Sequence, residues 1–277
     1  MTDTPAAAAH DADTDGRRRL RVRVKIPWLA IVAPLVFFAT FIGLWEILVK
    51  VRDIQILLLP APSDIWSQFV EDFPLLRDLA KNTAIESIKG VVIGAVLAIG
   101  LAGLVHGIGW LNKSLLMYSS TIKALPIVAL YPICTVFFGV TSSAIVAMVS
   151  IAVAPIMYTF ASRGFSGTSE QDELMRSISA GWFTRFRSLV LPRALPYVMA
   201  GLKTAVPLSI IVAIISEYFG GSVTTLGSYI RRESVQLHTP EMWSAIVMAC
   251  ILGLVAFAAV SLLDRYFLRW HPSRRGN

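Results

Sequence analysis

Long apolar runs separated by short polar breaks dominate the chain. The runs lie at about Trp28–Val49, Ile85–Val105, Leu115–Gly139, Ser143–Ala161, Ala194–Phe219 and Met242–Leu263. At ~1.5 Å of rise per residue, about 20 apolar residues cross the ~30 Å hydrocarbon core of a bilayer. The pattern predicts an all-α polytopic membrane protein with about six transmembrane helices. One shorter stretch differs. Pro60 and Pro62 hold the chain extended, Ser63 is placed to cap, and Asp64 to Asp72 reads as a short amphipathic helix. Its Ile65, Trp66 and Phe69 fall to one side, which suits the membrane interface.

Small residues and prolines give the spans individual character. In the second span Gly90, Gly94, Ala98 and Ala102 recur every four residues, a stripe that lets two helix backbones approach closely. The third span holds Pro126 and Pro132 and is expected to be broken. The fourth is expected to break near Ala154-Pro155, and the fifth at Pro207. Broken membrane helices line cavities, where the freed backbone groups find partners. Pro126, Pro132 and Pro207 are therefore candidates for a translocation path. Glu217, near the end of the fifth span, joins them, because an ionisable residue at membrane depth is a functional candidate or an interfacial anchor. Glu46, near the end of the first span, reads as a headgroup-level residue.

The longest polar break, Thr168 to Pro192, has a design of its own. Thr168 and Gln171 have capping-box spacing, and Glu170, Asp172 and Glu173 follow in the first turn, where the helix dipole favours acids. A second helical run, Trp182 to Val190, follows the small-residue bend Ser179-Ala180-Gly181, and Leu191-Pro192 ends it. Two short helices joined at a bend form a compact knob between membrane spans.

Composition agrees with a membrane protein: 55% of residues are hydrophobic and only 16% are charged. The net charge of +7 does not indicate nucleic acid, because the basic residues sit in short runs beside apolar segments. With the N-terminus inside, 16 of the 25 Lys and Arg residues fall in cytoplasmic segments and 6 in outer loops, while Lys89, Lys123 and Lys203 lie within spans. That bias places both termini and the 168–192 knob in the cytoplasm. Residues 1–26 read as a disordered basic tail, 27–270 as the membrane domain and 271–277 as a cytoplasmic tail. Cys134 and Cys250 read as buried free thiols without disulfide or metal spacing.

The knob carries a resemblance. Glu173 and Leu191-Pro192 stand 18 positions apart, and this spacing resembles the EAA loop of the transmembrane permeases of ABC importers. Leu174 and Met175 replace the family's two alanines, and Ser179 replaces its glycine, with Gly181 two positions later. Further segments are similar to the nitrate, sulfonate, taurine and pyrimidine-precursor branch: LLPAPSDIW, then KALPIVALYPICTVFFG with Lys123 in an arginine place. The run ALPYVMAGLKTAVPLSIIVAIISEYFGG and the LGSYI stretch of the loop 220–240 follow the same branch. The resemblance implies a permease subunit that passes a small solute. It implies cytoplasmic ABC ATPase subunits docking on Glu173, Leu174, Met175, Ser179, Gly181, Leu191 and Pro192. It further implies an extracytoplasmic solute-binding protein and a second permease copy, most simply in a homodimer. A self-sufficient secondary transporter or channel is the alternative; against it stand the lack of an inverted repeat and of mid-membrane acid or histidine chains.

The chain contains no G-x-x-x-x-G-K-[ST], H-E-x-x-H or G-x-S-x-G motif, and its four histidines are dispersed. No enzymatic site, cofactor, metal ion or nucleic-acid partner is expected; the partners are proteins and the lipid bilayer. Cysteines placed at Ser169 or Thr184 are expected to react with impermeant reagents only from the cytoplasmic face. Labelling from the outer face alone overturns the topology.

Overall fold

The computed structural model describes residues 28–166, 177, 181, 184, 186–220 and 222–268. It divides into two compact units, Met1–Trp45 and Glu46–Asn277. The first unit contributes most of α1 (Trp28–Val51), whose Leu35, Phe37, Phe38 and Phe41 are exposed, as suits a helix facing lipid.

The second unit is built of helices joined by short turns, with no strand among its described residues. Ala61, extended at φ −71 and ψ 151, precedes α2 (Pro62–Glu71), and the Asp64 carboxylate accepts the Ala61 N–H at 3.2 Å. Ser63 is therefore not the cap. Its N–H and hydroxyl instead donate to Glu46 at 3.1 and 2.8 Å, and Lys50 pairs with the same carboxylate at 2.5 Å. Ile65 and Phe69 are buried, whereas Trp66 stays exposed.

Helix α3 (Phe73–Val105) begins three turns before the apolar run, because Pro74 opens it and its first turns carry Arg77, Asp78 and Lys81. Then come α4 (Gly109–Ala124), a 3-10 turn (Ile127–Leu130), α5 (Tyr131–Phe138) and α6 (Ser142–Phe165). A π-helical turn (Phe186–Val190) leads directly into α7 (Leu191–Phe219). The chain continues through α8 (Leu226–Val235) to α9 (Thr239–Phe267). Among the described residues five helices are long and apolar enough to cross a membrane, and the bent α4–α5 pair makes up to six.

Helix α6 is the centre of this unit. Ile145, Met148, Val149, Val153 and Met157 on it are fully buried, and a helix apolar on every side belongs in an interior. The small stripe of α3 lies against it. A Cβ on Gly90 would meet Val149 at 2.5 Å, and one on Gly94 would meet the Ser150 carbonyl at 2.8 Å. Ser150 Oγ donates to the Gly90 carbonyl at 3.1 Å across this contact. On the other side, Gly201 of α7 approaches Met157 and Phe160 of α6. A smaller cluster gathers Phe69, Leu76, Leu226, Tyr229 and Met248, joining α2, α3, α8 and α9.

Two expected breaks are absent. Helix α6 runs through Pro155 and α7 runs through Pro196 and Pro207 without interruption. A proline removes one hydrogen bond, but a helix clamped between neighbours keeps its course when packing outweighs that loss. The segment expected as an outer loop folds into α8. Of the two cysteines, Cys134 is buried but Cys250 is exposed, contrary to the expectation of two buried thiols.

The α3–α6 contact yields a paired prediction. Gly94→Ala presses a methyl on backbone and is expected to destabilise by about 1–3 kcal/mol. Gly100→Ala, with open space around it, is expected to be neutral or to stabilise by up to ~1 kcal/mol. Thermal unfolding of the detergent-solubilised protein checks both; equal effects at the two sites overturn the packing account.

Candidate functional site

The third span supplies the largest departure from helical geometry. Leu125 is extended (φ −73, ψ 143), as the residue before a proline prefers, and Pro126 follows at φ −70 and ψ 86. The chain then turns by 92° between α4 and the segment through Phe138. Freed backbone groups are met locally: Leu125 N–H donates to the Ile122 carbonyl at 3.1 Å, and Ala129 N–H to the Pro126 carbonyl at 2.8 Å. Pro132 sits in the first turn of α5, where its missing N–H costs nothing.

Beyond the bend lies a cavity of about 540 Å³, lined by Val128, Tyr131, Pro132, Thr135, Phe219 and Gly220 among others. Thr135 Oγ1 donates to the Pro132 carbonyl at 2.7 Å, and the Tyr131 hydroxyl donates to the Gly220 carbonyl, tying α5 to the end of α7. Pro132 thus lines a cavity and Pro126 makes the bend beside it. Pro207 and Glu217 are not among the residues lining that cavity.

Glu217 occupies a different place. It is fully buried, and its Oε2 accepts from Thr83 Oγ1 at 3.0 Å and from the Gly227 N–H at 2.9 Å. Thr83 Oγ1 in turn accepts from the Leu226 N–H at 3.1 Å. One carboxylate therefore holds the first turn of α8 against α3 and α7, supplying acceptors to amides that a helix start leaves free. Only glycine fits at 227, since a Cβ there would stand 2.2 Å from the Ile214 carbonyl. One turn along, the Ser87 and Ser209 hydroxyls share a hydrogen bond of 2.6 Å between α3 and α7. Tyr229 on α8 donates to Asp72 at 3.3 Å, and burial, then the neighbouring Asp72 carboxylate, pushes its hydroxyl above the usual phenol range. Thr83, Ser87, Ser209 and Gly227 were not singled out from sequence. The first two continue the small stripe of α3 toward its N-terminus, which was the available signal.

Of the polar knob, Glu173, Leu174, Met175 and Ser179 lie outside the described residues. Gly181 and Thr184 are exposed, Leu191 is exposed, and Pro192 stands in the first turn of α7. The helices that flank it are brought together. Arg193 donates through Nη2 to the Phe165 carbonyl at 2.9 Å and through Nε to the Gly164 carbonyl at 3.4 Å. It thereby caps the end of α6 with a side chain from the start of α7, where a cation also complements the helix dipole. A Cβ on Gly164 would meet Ala194 at 2.9 Å, so the exit and entry helices touch at backbone distance. Among the described residues no group of three or more His, Cys, Asp or Glu could hold a metal ion.

Comparison with known proteins completes the picture. Residues 90–270 match the family model described as binding-protein-dependent transport system inner membrane component. The formylaminopyrimidine transport permease protein ThiX of Halalkalibacterium halodurans is 29% identical over 245 residues, covering 87% of this chain and 96% of that protein. The riboflavin transport system permease protein RibX of Chloroflexus aurantiacus is 25% identical over 259 residues, covering 92% and 96%. The nitrate import permease protein NrtB of Leptolyngbya laminosa is 22% identical over 238 residues, covering 82% and 84%. In structure the chain is similar to the MetNI methionine ABC transporter in an inward-facing conformation. The TM-score is 0.61 at 15% identity, over 71% of this chain and 98% of that one.

Removing the Glu217 carboxylate should strand the Thr83 hydroxyl and the Gly227 amide. Glu217→Ala is expected to cost about 1–3 kcal/mol of stability, and Glu217→Gln, which keeps an acceptor, clearly less. Thermal unfolding in detergent measures this; an Ala variant as stable as the parent rejects the tie.

Proposed function

The chain belongs to the binding-protein-dependent transport system inner membrane component family, and from that membership we propose that it forms half of an ATP-driven importer's solute path. The chain is a multi-pass subunit of the cell membrane, and its transport role follows from the family. In the proposed assembly the membrane domain spans 27–270, both termini face the cytoplasm, and two copies pair, since six spans enclose half a pore. An extracytoplasmic binding protein delivers a small solute. Its kind is that of the branch the sequence resembles, a nitrate-, sulfonate- or taurine-like solute or a pyrimidine or vitamin precursor, and the permeases of nitrate and formylaminopyrimidine among the relatives support this reading.

The observation that carries the mechanism is the closed base of the polar knob. Because Arg193 and Gly164 join the end of α6 to the start of α7, a push on residues 168–192 moves both helices together. In the proposal the ATPase subunit seats on Glu173, Leu174, Met175, Ser179, Gly181, Leu191 and Pro192. ATP binding closes the paired ATPase subunits, and their motion passes through α6 and α7 to the bend at Pro126. The bend, with Pro132 and the cavity beside it, lies along the solute path. Pro207 and Glu217 belong to α7, the helix that is moved, and Glu217 carries α8 with it. Alternating access then follows from rocking a rigid group of helices around the bend, and hydrolysis resets it.

Glu173 tests the coupling. The sequence places it in the first turn of the expected first knob helix, where an acid would serve both that helix's free N–H groups and basic residues of an ATPase. Glu173→Gln keeps the shape and removes the charge. The expected outcome is reduced solute uptake and reduced stimulation of ATP hydrolysis, with unchanged permease level in the membrane. If Glu173 only stabilises a helix end, worth about 0.3–1 kcal/mol, both rates stay near those of the parent, and the coupling role is rejected.

A further inference from the structure

Helix α8 joins two spans, lying between the last residue of α7, Phe219, and the first of α9, Thr239. Both of those helices are long and apolar enough to cross a membrane, so α8 stands at a membrane boundary. One side of it is packed away: Leu226, Tyr229 and Glu233 are buried. Another side carries a groove of about 330 Å³ lined by Val223, Ser228, Arg231, Arg232, Val235 and Gln236. The cavity beside the bend shares no lining residue with it.

The groove is rich in donors and poor in acceptors. Arg232 is held in place: its guanidinium carbon lies 4.8 Å from the centre of the Tyr229 ring, and its Nε donates to Glu233 at 2.8 Å. Both Nη groups of that guanidinium remain for another partner. Arg231 forms no ion pair among the described residues. Glu233, the acid of α8, is buried and also shares a hydrogen bond of 2.8 Å with His238 Nδ1. The Ser228 hydroxyl donates to the Thr225 carbonyl at 2.9 Å. The groove therefore offers two guanidinium groups and the Gln236 amide. Its apolar walls, Val223 and Val235, are 75% and 77% exposed. Cations beside exposed apolar side chains at a membrane boundary form a surface that meets headgroups and acyl chains together.

We infer that the α8 groove binds an anionic phospholipid, with Arg231 and Arg232 on its phosphate and Val223 and Val235 against the upper methylenes of its chains. Guanidinium groups suit phosphate oxygens, which they meet in paired, charge-assisted hydrogen bonds. A phosphatidylcholine headgroup brings a cation of its own to the two arginines, so the groove selects against it. An acidic protein surface answers the arginines and leaves the two valines unmatched, whereas a phospholipid answers both. The inference needs only that the chain lies in a membrane; it does not depend on the solute or on an ATPase.

Native mass spectrometry of the purified full chain counts the lipids it keeps when phosphatidylglycerol and phosphatidylcholine are offered together in equal amounts. Preferential retention of phosphatidylglycerol is expected, with one fewer copy per chain in the double variant Arg231→Gln, Arg232→Gln. An arginine near a charged membrane surface is worth about a fivefold preference, so Arg231→Gln alone should lower the ratio of the two lipids at this site about fivefold. That single variant leaves the contacts of Arg232 with Tyr229 and Glu233 untouched, so it reads the site without loosening α8. The arginines of the N-terminal segment are the same in parent and variants and cancel in the comparison. Equal retention of the two lipids by the parent, or the same phosphatidylglycerol count in the parent and both variants, overturns the proposal. Glycerol 1-phosphate in excess should leave the bound lipid in place; displacement assigns the groove to free phosphate esters and overturns the lipid reading. Loss from the double variant of a protein that copurifies with the parent, at an unchanged lipid count, assigns the groove to a protein partner and overturns it as well.

Discussion

The close approach of α3 and α7 to the central helix α6 is what the rest of this structure depends on. Within a bilayer no hydrophobic force drives helices together, because lipid is as apolar as leucine. What remains is contact between backbones and the polar ties that contact permits. Gly90 and Gly94 bring α3 onto Val149 and Ser150, and Gly201 brings α7 onto Met157 and Phe160. At that spacing Ser150 reaches the Gly90 carbonyl and Ser87 reaches Ser209. Larger residues in the glycine places would separate the helices and break the ties in the same step.

The same packing explains how prolines act differently along one chain. Pro155 lies inside the most enclosed helix and leaves it continuous. Pro126 stands on an exposed segment, with a second proline six residues on, and there the chain turns sharply. A lost hydrogen bond costs a similar amount in both places. The helix held on both sides absorbs it, and the less supported one bends. The bend leaves a cavity beside it, so the least regular part of the bundle is also where freed backbone groups lie next to open space.

Rigidity is distributed to match. Glu217 joins α3, α7 and α8 through hydrogen bonds from Thr83 and Gly227. Arg193 joins the end of α6 to the start of α7. These ties sit at opposite ends of α7, near its last and first turns respectively. A helix fastened at both ends transmits displacement along its length, which is what the proposed coupling of residues 168–192 to the cavity requires.

By itself the sequence determined the apolar spans, the small stripe on α3, the bend at Pro126 and the family resemblance. Each depends on residues close together in the chain: span length on a run of apolar side chains, the stripe on a four-residue repeat. Tertiary structure alone decided that Pro155 and Pro207 would not break their helices, that residues 226–235 form α8, and that Glu217 is a buried tie. Those outcomes depend on partners far away in the chain. Thr83 and Glu217 are 134 residues apart, and Thr83 and Leu226 are 143 apart. A local pattern shows that a group needs a partner. Which distant helix supplies that partner is settled only when the helices pack, because the free energy of a buried polar group depends on the neighbours that surround it.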